Sequence, residues 1–278
     1  MKKTLTLSLI IILTLVTGLL LYSFEKEDVR FTEASENYTV VRKWELPDPL
    51  KEISAIEWLG DDKIAAVQDE EGIIFIYDLK KEAIEKQISF GQGGDYEGLR
   101  ISGNTAYILR SDGTVFEVRD FNTSDPKTSP IKTGLSKIKG IDVEGLGLDK
   151  TNNRLLLGVK ENKQSKDSRG VYALDLVNRK SATAPVLEIK TSDPVFGNGK
   201  FNPSEIGVHP STGEYYILDA RNYQLLITDA QGKPKKLHRL AEGDFAKAEG
   251  LSFSPDGSLY ISNEAEDGPA NILQVELK

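Results

Sequence analysis

One pattern recurs five times along this 278-residue chain. Its clearest copy covers residues 248–263, AEGLSFSPDGSLYISN. Glu249-Gly250 opens a strand through Leu251 and Phe253, Ser254-Pro255-Asp256-Gly257 turns it, and Leu259, Tyr260 and Ile261 form a second strand ending in Asn263 and Glu264. Apolar alternation broken by turn residues is the signature of a hairpin. Weaker copies begin at Ser54, Glu97, Glu144 and Ser204, so successive starts lie 43, 47, 60 and 45 residues apart. A period of roughly 40–50 residues with several short strands fits a propeller blade.

Each repeat also offers two later strands: 73–77 and 84–90, 114–118 and a weaker run at 130–133, 171–176 and 186–189, then 224–228 and 236–240. The last repeat has only one, 272–277. A β-branched and aromatic stretch, YTVVRKW at 38–44, precedes the first repeat and would supply the missing fourth strand. Closing a ring in this way removes the exposed sheet edges of an open array. The expected fold is therefore all-β: a propeller of about five four-stranded blades. The long interval leaves room for a degenerate sixth blade between 150 and 204.

Residues 4–22 carry no charge and are rich in Leu and Ile, behind Lys2 and Lys3. Roughly 20 such residues span a bilayer, and the lysines predict the amino end inside and the remainder exported. The exit, Leu20-Leu21-Tyr22-Ser23-Phe24-Glu25, lacks the small residues of a cleavage site, which favours a retained anchor over a removed signal. Residues 23–37 are charged and polar and read as a tether. The expected organisation is 1–22 anchor or signal, 23–37 tether and 38–278 propeller.

Net charge is −8, and the first 22 residues hold two lysines and no acid, leaving −10 on the rest. Such a domain repels phosphate backbones, which argues against nucleic acid as a partner. With no cysteine there are no disulfides, thiolate sites or lipid-modified thiol. Two histidines, His209 and His238, rule out a histidine-rich zinc site. No G-x-S-x-G is present.

Innermost propeller strands begin beside a central channel. That position holds Ser54, Glu97, Glu144, Ser204 and Glu249, with Glu205 one residue further on. Glu97, Glu144, Glu205 and Glu249 are candidate metal ligands, because converging carboxylates raise one another's pKa unless a cation neutralises them. Hard oxygens suit calcium. A solvated channel, a catalytic role, or simple Glu-Gly turn chemistry that lets blades approach are the alternatives. A second ring lies where the second strands end: Asp69, Asp112, Glu161, Asp219, Arg221, Asn263 and Glu264. These form either a polar rim selecting a ligand above the channel or ordinary solvated loop ends. Gly91-Gln92-Gly93-Gly94 precedes no helix and is a linker rather than a dinucleotide loop. His209 is expected exposed at its turn, and Trp44 and Trp58 in packing.

The chain resembles the SdiA-regulated (YjiK-like) family of envelope propellers. The resemblance rests on Leu46-Pro47 before Glu52-Ile53-Ser54-Ala55-Ile56, Asp95-Tyr96-Glu97-Gly98-Leu99, Val143-Glu144-Gly145-Leu146, Asn202-Pro203-Ser204-Glu205-Ile206 and the run 247–257, in that order. It implies a membrane-associated propeller of undefined biochemical role, placed at the bacterial inner membrane with the domain on the extracytoplasmic (periplasmic) side. The Glu-Gly starts are also similar to those of propeller phytases, where such glutamates hold calcium; the similarity extends only to Glu97, Glu144 and Glu249. The functional expectation is a ligand- or partner-binding channel face, with calcium as the candidate cofactor and no defined catalysis. A calcium-dependent phosphoesterase or lactonase is the second reading, and a structural scaffold the third.

Overall fold

The computed structural model describes residues 37–278, apart from 139, 163–166, 198 and 199, together with the backbone of Arg30–Phe31. The apolar run at 4–22 lies outside the described residues, as does most of the tether.

Five antiparallel four-stranded meanders are arranged as propeller blades. Blade one is Ile53–Gly60, Lys63–Gln68, Ile73–Asp78 and Ala83–Ser89. Blade two is Tyr96–Ser102, Thr105–Arg110, Thr114–Arg119 and Lys127–Lys132. Blade three is Ile141–Asp149, Arg154–Asn162, Ser168–Asp175 and Leu187–Lys190. Blade four is Glu205–Val208, Tyr215–Asp219, Gln224–Thr228 and Pro234–Arg239. Blade five is Ala248–Phe253, Leu259–Asn263, Asn271–Leu277 and, on its outer edge, Tyr38–Glu45. Tyr38 pairs with Leu277 and Glu45 with Asn271, so the ring closes with strands far apart in sequence, as expected.

Among the described residues of the 60-residue interval there is no sixth blade. The interval is taken up by two nine-residue strands of blade three and by a segment with a short 3-10 turn, Pro194–Phe196. There Phe196 stacks on Phe201 at 4.7 Å, and both rings are buried.

The middle strands are nearly continuous apolar runs because both of their faces are covered. In Ile73–Asp78 every residue after the first is buried. The outer strand Ala83–Ser89 instead alternates, with one face in water. The cores lie between blades. Trp44, Ile56, Phe75, Tyr77, Tyr260 and Ile272 fill the gap between blades five and one. Trp44 is buried and donates its indole N–H to Leu79 O at 2.9 Å, while Trp58 stacks on Tyr260 at 4.9 Å. His209 is less exposed than its turn suggested: its ring packs against Tyr216 and, at 5.1 Å, edge-to-face against Phe253.

Candidate functional site

Three innermost strands carry a β-bulge at their glutamate. In blade two Tyr96 pairs with Arg110 and Gly98 with Leu109, which skips Glu97. Glu144 is skipped in the same way between Val143 and Gly145, Glu249 between Ala248 and Gly250, and Ser54 in blade one. A bulged residue leaves the ladder and its side chain is re-aimed. The glycine that follows is there for packing. A Cβ on Gly98 would stand 2.5 Å from the Cβ of Leu146 in blade three, and one on Gly250 would stand 2.9 Å from the backbone N of Ile56 in blade one. The Glu-Gly pair thus frees a carboxylate and lets the next blade come close.

The three carboxylates meet at one mouth of the channel. Burial, then the charges of Glu144 and Asp95, push the Glu97 carboxyl up to about 10, with a smaller push from Glu249. Burial holds Glu144 at about 8, with Glu249 raising it and Lys160 opposing. Asp142 and Glu249 are also raised by burial. Lys160 enters the cluster from a bulge of its own: Glu161 pairs with Asp142 and Val159 with Val143, so Lys160 is skipped. Its Nζ lies 2.5 Å from Glu144 Oε2.

Of the second-strand ends, Asp69 and Glu264 join this mouth. Asp69 rises to about 6 through burial and its neighbours Glu52 and Glu264. Glu264 is paired with Lys247 at 2.5 Å. Asn263 is buried and donates to Asp244 O and Asn271 Oδ1. Glu161 and Arg221 pair at 2.7 Å between blades three and four. Asp112 bonds Arg110 and the N–H of Thr114 within its own turn. Asp219 is fully buried, accepting from the N–H groups of Asn202 and Asn222 and from the Asn222 amide, so it braces a loop.

Glu205 stands apart from the ring, at the centre of the channel. Its Oε1 accepts the N–H of Leu146 at 2.9 Å and of Ile206 at 2.7 Å, and lies 3.1 Å from Arg100 Nη2. Burial lifts its carboxyl to about 8 against the opposing pull of Arg100 and the two N–H groups. Arg100 is 3% exposed. Its guanidinium donates to the carbonyls of Ile56, Leu99, Ile206 and Leu251, which belong to blades one, two, four and five. Blade three joins through Leu146 and Glu205. A second carboxylate, Glu57, lies 3.5 Å from Arg100 Nη1. This cluster plugs the axis and ties all five blades together.

Neither Arg100 nor Glu57 was singled out from the sequence. Arg100 follows Leu99 at the position held by Glu57, Gly147, Gly207 and Ser252 in the other blades. The only available signal was one basic residue, out of pattern, at a channel-facing position.

Calcium does not fit the mouth as built. Among the described residues no group of three or more His, Asp or Glu is arranged to hold a metal ion. The Lys160 ammonium already lies against the Glu144 carboxylate and neutralises part of the acidic charge a cation would need.

Solved structures share the fold. Glutaminyl cyclase from Myxococcus xanthus is 13% identical, with a TM-score of 0.62 over 88% of this chain and 99% of that one. A PQQ-bound aldose sugar dehydrogenase from Streptomyces coelicolor gives 13% and 0.54, covering 89% and 100%. Regucalcin from Agrobacterium tumefaciens, a calcium-binding protein, gives 13% and 0.52, covering 81% and 90%. Identities this low establish the architecture alone. No curated protein matches the sequence. The SdiA-regulated family model matches residues 86–267, more than half the chain, taking in blades two, three and four whole and the first two strands of blade five, and the chain belongs to the SdiA-regulated family.

Proposed function

We propose that this chain is an exported propeller, tethered to a bacterial inner membrane through residues 4–22, that binds a ligand or envelope partner by taking a cationic group into its acidic channel mouth. The observation that carries this reading is the repeated bulge that frees Glu97, Glu144 and Glu249 from three innermost strands, where burial and one another's charge raise the Glu97 carboxyl. Lys160 and Lys247 are spent on Glu144 and Glu264, and burial favours the protonated carboxyl at Glu97 and Glu249. An arriving ammonium or guanidinium group exchanges with those protons and gains charge-assisted hydrogen bonds. The membrane part of the reading rests on the uncharged run behind Lys2 and Lys3.

Thermal unfolding of the full chain in detergent, titrated at pH 8 with spermidine, calcium chloride or ionic-strength-matched sodium chloride, tests the site. A ligand that binds only the folded state raises Tm as its concentration grows. Spermidine is expected to raise Tm, and Glu97→Gln with Glu249→Gln to remove the effect. A shift confined to calcium would replace the organic cation with a metal; no shift from either sinks the reading. Protease treatment of spheroplasts checks orientation: a propeller that stays intact until the cells are lysed contradicts export.

A further inference from the structure

The plug that closes the acidic mouth also leaves a cup at the channel's other end. Its volume is about 330 Å³, at the small end of the range for small-molecule sites. Glu57 and Arg100 form its floor. The Glu57 side chain keeps 16% of its surface open to the cup and accepts the Ser252 hydroxyl at 3.2 Å. One guanidinium serves two carboxylates, the buried Glu205 and the partly exposed Glu57, and lies closer to Glu205, at 3.1 Å, than to Glu57, at 3.5 Å. Glu57 is therefore short of positive charge. Lys150 stands exposed at the rim, near enough to act on Glu57, and makes no ion pair among the described residues. Phe253 and His209, in edge-to-face contact, give the cup an aromatic side.

From an under-compensated carboxylate at the floor, an ammonium at the rim with no ion pair among the described residues, and an aromatic side formed by Phe253 and His209, we infer that this second cup binds a small zwitterion, a free α-amino acid or the equivalent end of a short peptide. The amine docks at Glu57, the carboxylate at Lys150 and the side chain against Phe253 and His209. A simple amine would satisfy the floor and meet repulsion at the rim; a simple acid would meet the reverse. Only a molecule carrying both groups matches both ends. This site is independent of the acidic mouth, on the far side of Arg100.

Isothermal titration of the full chain with phenylalanine, leucine and glycine tests the inference, with phenethylamine and phenylpropionate as single-charge controls. Phenylalanine is expected to bind best, at least about tenfold tighter than either control, as one lost charged hydrogen bond implies. Lys150→Ala is expected to weaken phenylalanine to the level of the amine, and the isosteric Glu57→Gln to weaken it by about tenfold or more. Lys43→Ala, on the exposed outer strand of blade five and away from both proposed sites, is expected to leave phenylalanine binding as it is. Absence of binding by all three amino acids, equal binding of phenethylamine, or indifference to Lys150→Ala would each overturn the assignment. Since Lys150 lies on the surface, that last result does not depend on whether the Glu57 variant folds.

Discussion

Arg100 Nη2 lies 3.1 Å from Glu205 Oε1, with both side chains at the propeller axis and almost no water reaching either. A closed ring usually leaves a channel along its axis. Here the innermost strands present backbone carbonyls to one guanidinium, and the carboxylate that balances it accepts the N–H of the remaining blade. The guanidinium and Glu205 Oε1 are held by these hydrogen bonds, which is what makes a buried ion pair tolerable, although Glu205 Oε2 is left without a partner among the described residues.

Arg100→Met should therefore cost about 3–5 kcal/mol, because it strands Glu205 and Glu57 without a counter-charge. Arg100→Lys should recover little, since one ammonium has three donors against the forked five of arginine. Adding Glu205→Gln to Arg100→Met should regain part of the loss. Urea unfolding followed by tryptophan fluorescence reads all three. Full stability in Arg100→Met would mean that the axis is held by packing alone.

The glycines after the bulges set the blade spacing. Gly98→Ala places a methyl group 2.5 Å from Leu146 Cβ, with no flexible side-chain end to move aside. Overpacking of this kind costs about 1–3 kcal/mol. Gly103, at φ +58 in an open turn with nothing within 4 Å, is the matched control for backbone strain without a clash. A larger loss of Tm for Gly98→Ala than for Gly103→Ala supports close blade approach; the reverse order points to turn strain as the greater constraint.

Most of the architecture was legible because a propeller states its pattern several times. Even the weak strand near Pro130 is present, as Lys127–Lys132. The convergence of Glu97, Glu144 and Glu249 was legible for the same reason: each repeats one bulge. What the repeat hid was whatever broke it. Arg100 occurs once, so no periodicity flagged it. Glu205, one residue past the ring position, was grouped with the ring although that single step carries it to the axis. Asp219 looked like a rim acid from its place after a strand, but its carboxylate is turned inward by three hydrogen-bond donors.

Ring closure by Tyr38–Glu45 makes a further prediction. That strand pairs along its length with Asn271–Leu277, and Trp44 fills the interface with blade one. Deleting residues 38–45 should expose the edge of Asn271–Leu277 and open the seam between the first and last blades. Aggregation, or loss of a single cooperative unfolding transition, is the expected result by size-exclusion chromatography and calorimetry. A monomeric domain with an unchanged transition would show that closure contributes nothing to cooperativity.

The acidic mouth fixes how stability depends on pH. Unfolded Glu and Asp titrate near 4.3 and 3.9, roughly. In the folded chain Asp69 stands at about 6, Glu144 at about 8 and Glu97 at about 10. Across that interval the folded state binds more protons than the unfolded one, so the stability these groups contribute is complete below about pH 4 and is lost as pH rises. His238 works in the opposite direction: burial drops its imidazole to about 4, so its contribution grows with pH but is complete by about 7. The window from pH 7 to 9 therefore isolates the carboxylates. Tm should fall there by several degrees, and Glu97→Gln, which keeps the shape and cannot ionise, should flatten the fall and be the more stable protein at pH 9. Spermidine should also raise Tm more at pH 9 than at pH 7, because a bound cation replaces protons that are then already leaving. A Tm that holds level or climbs between pH 7 and 9 in the wild-type chain would mean that the three glutamates are not confined together in a water-poor mouth.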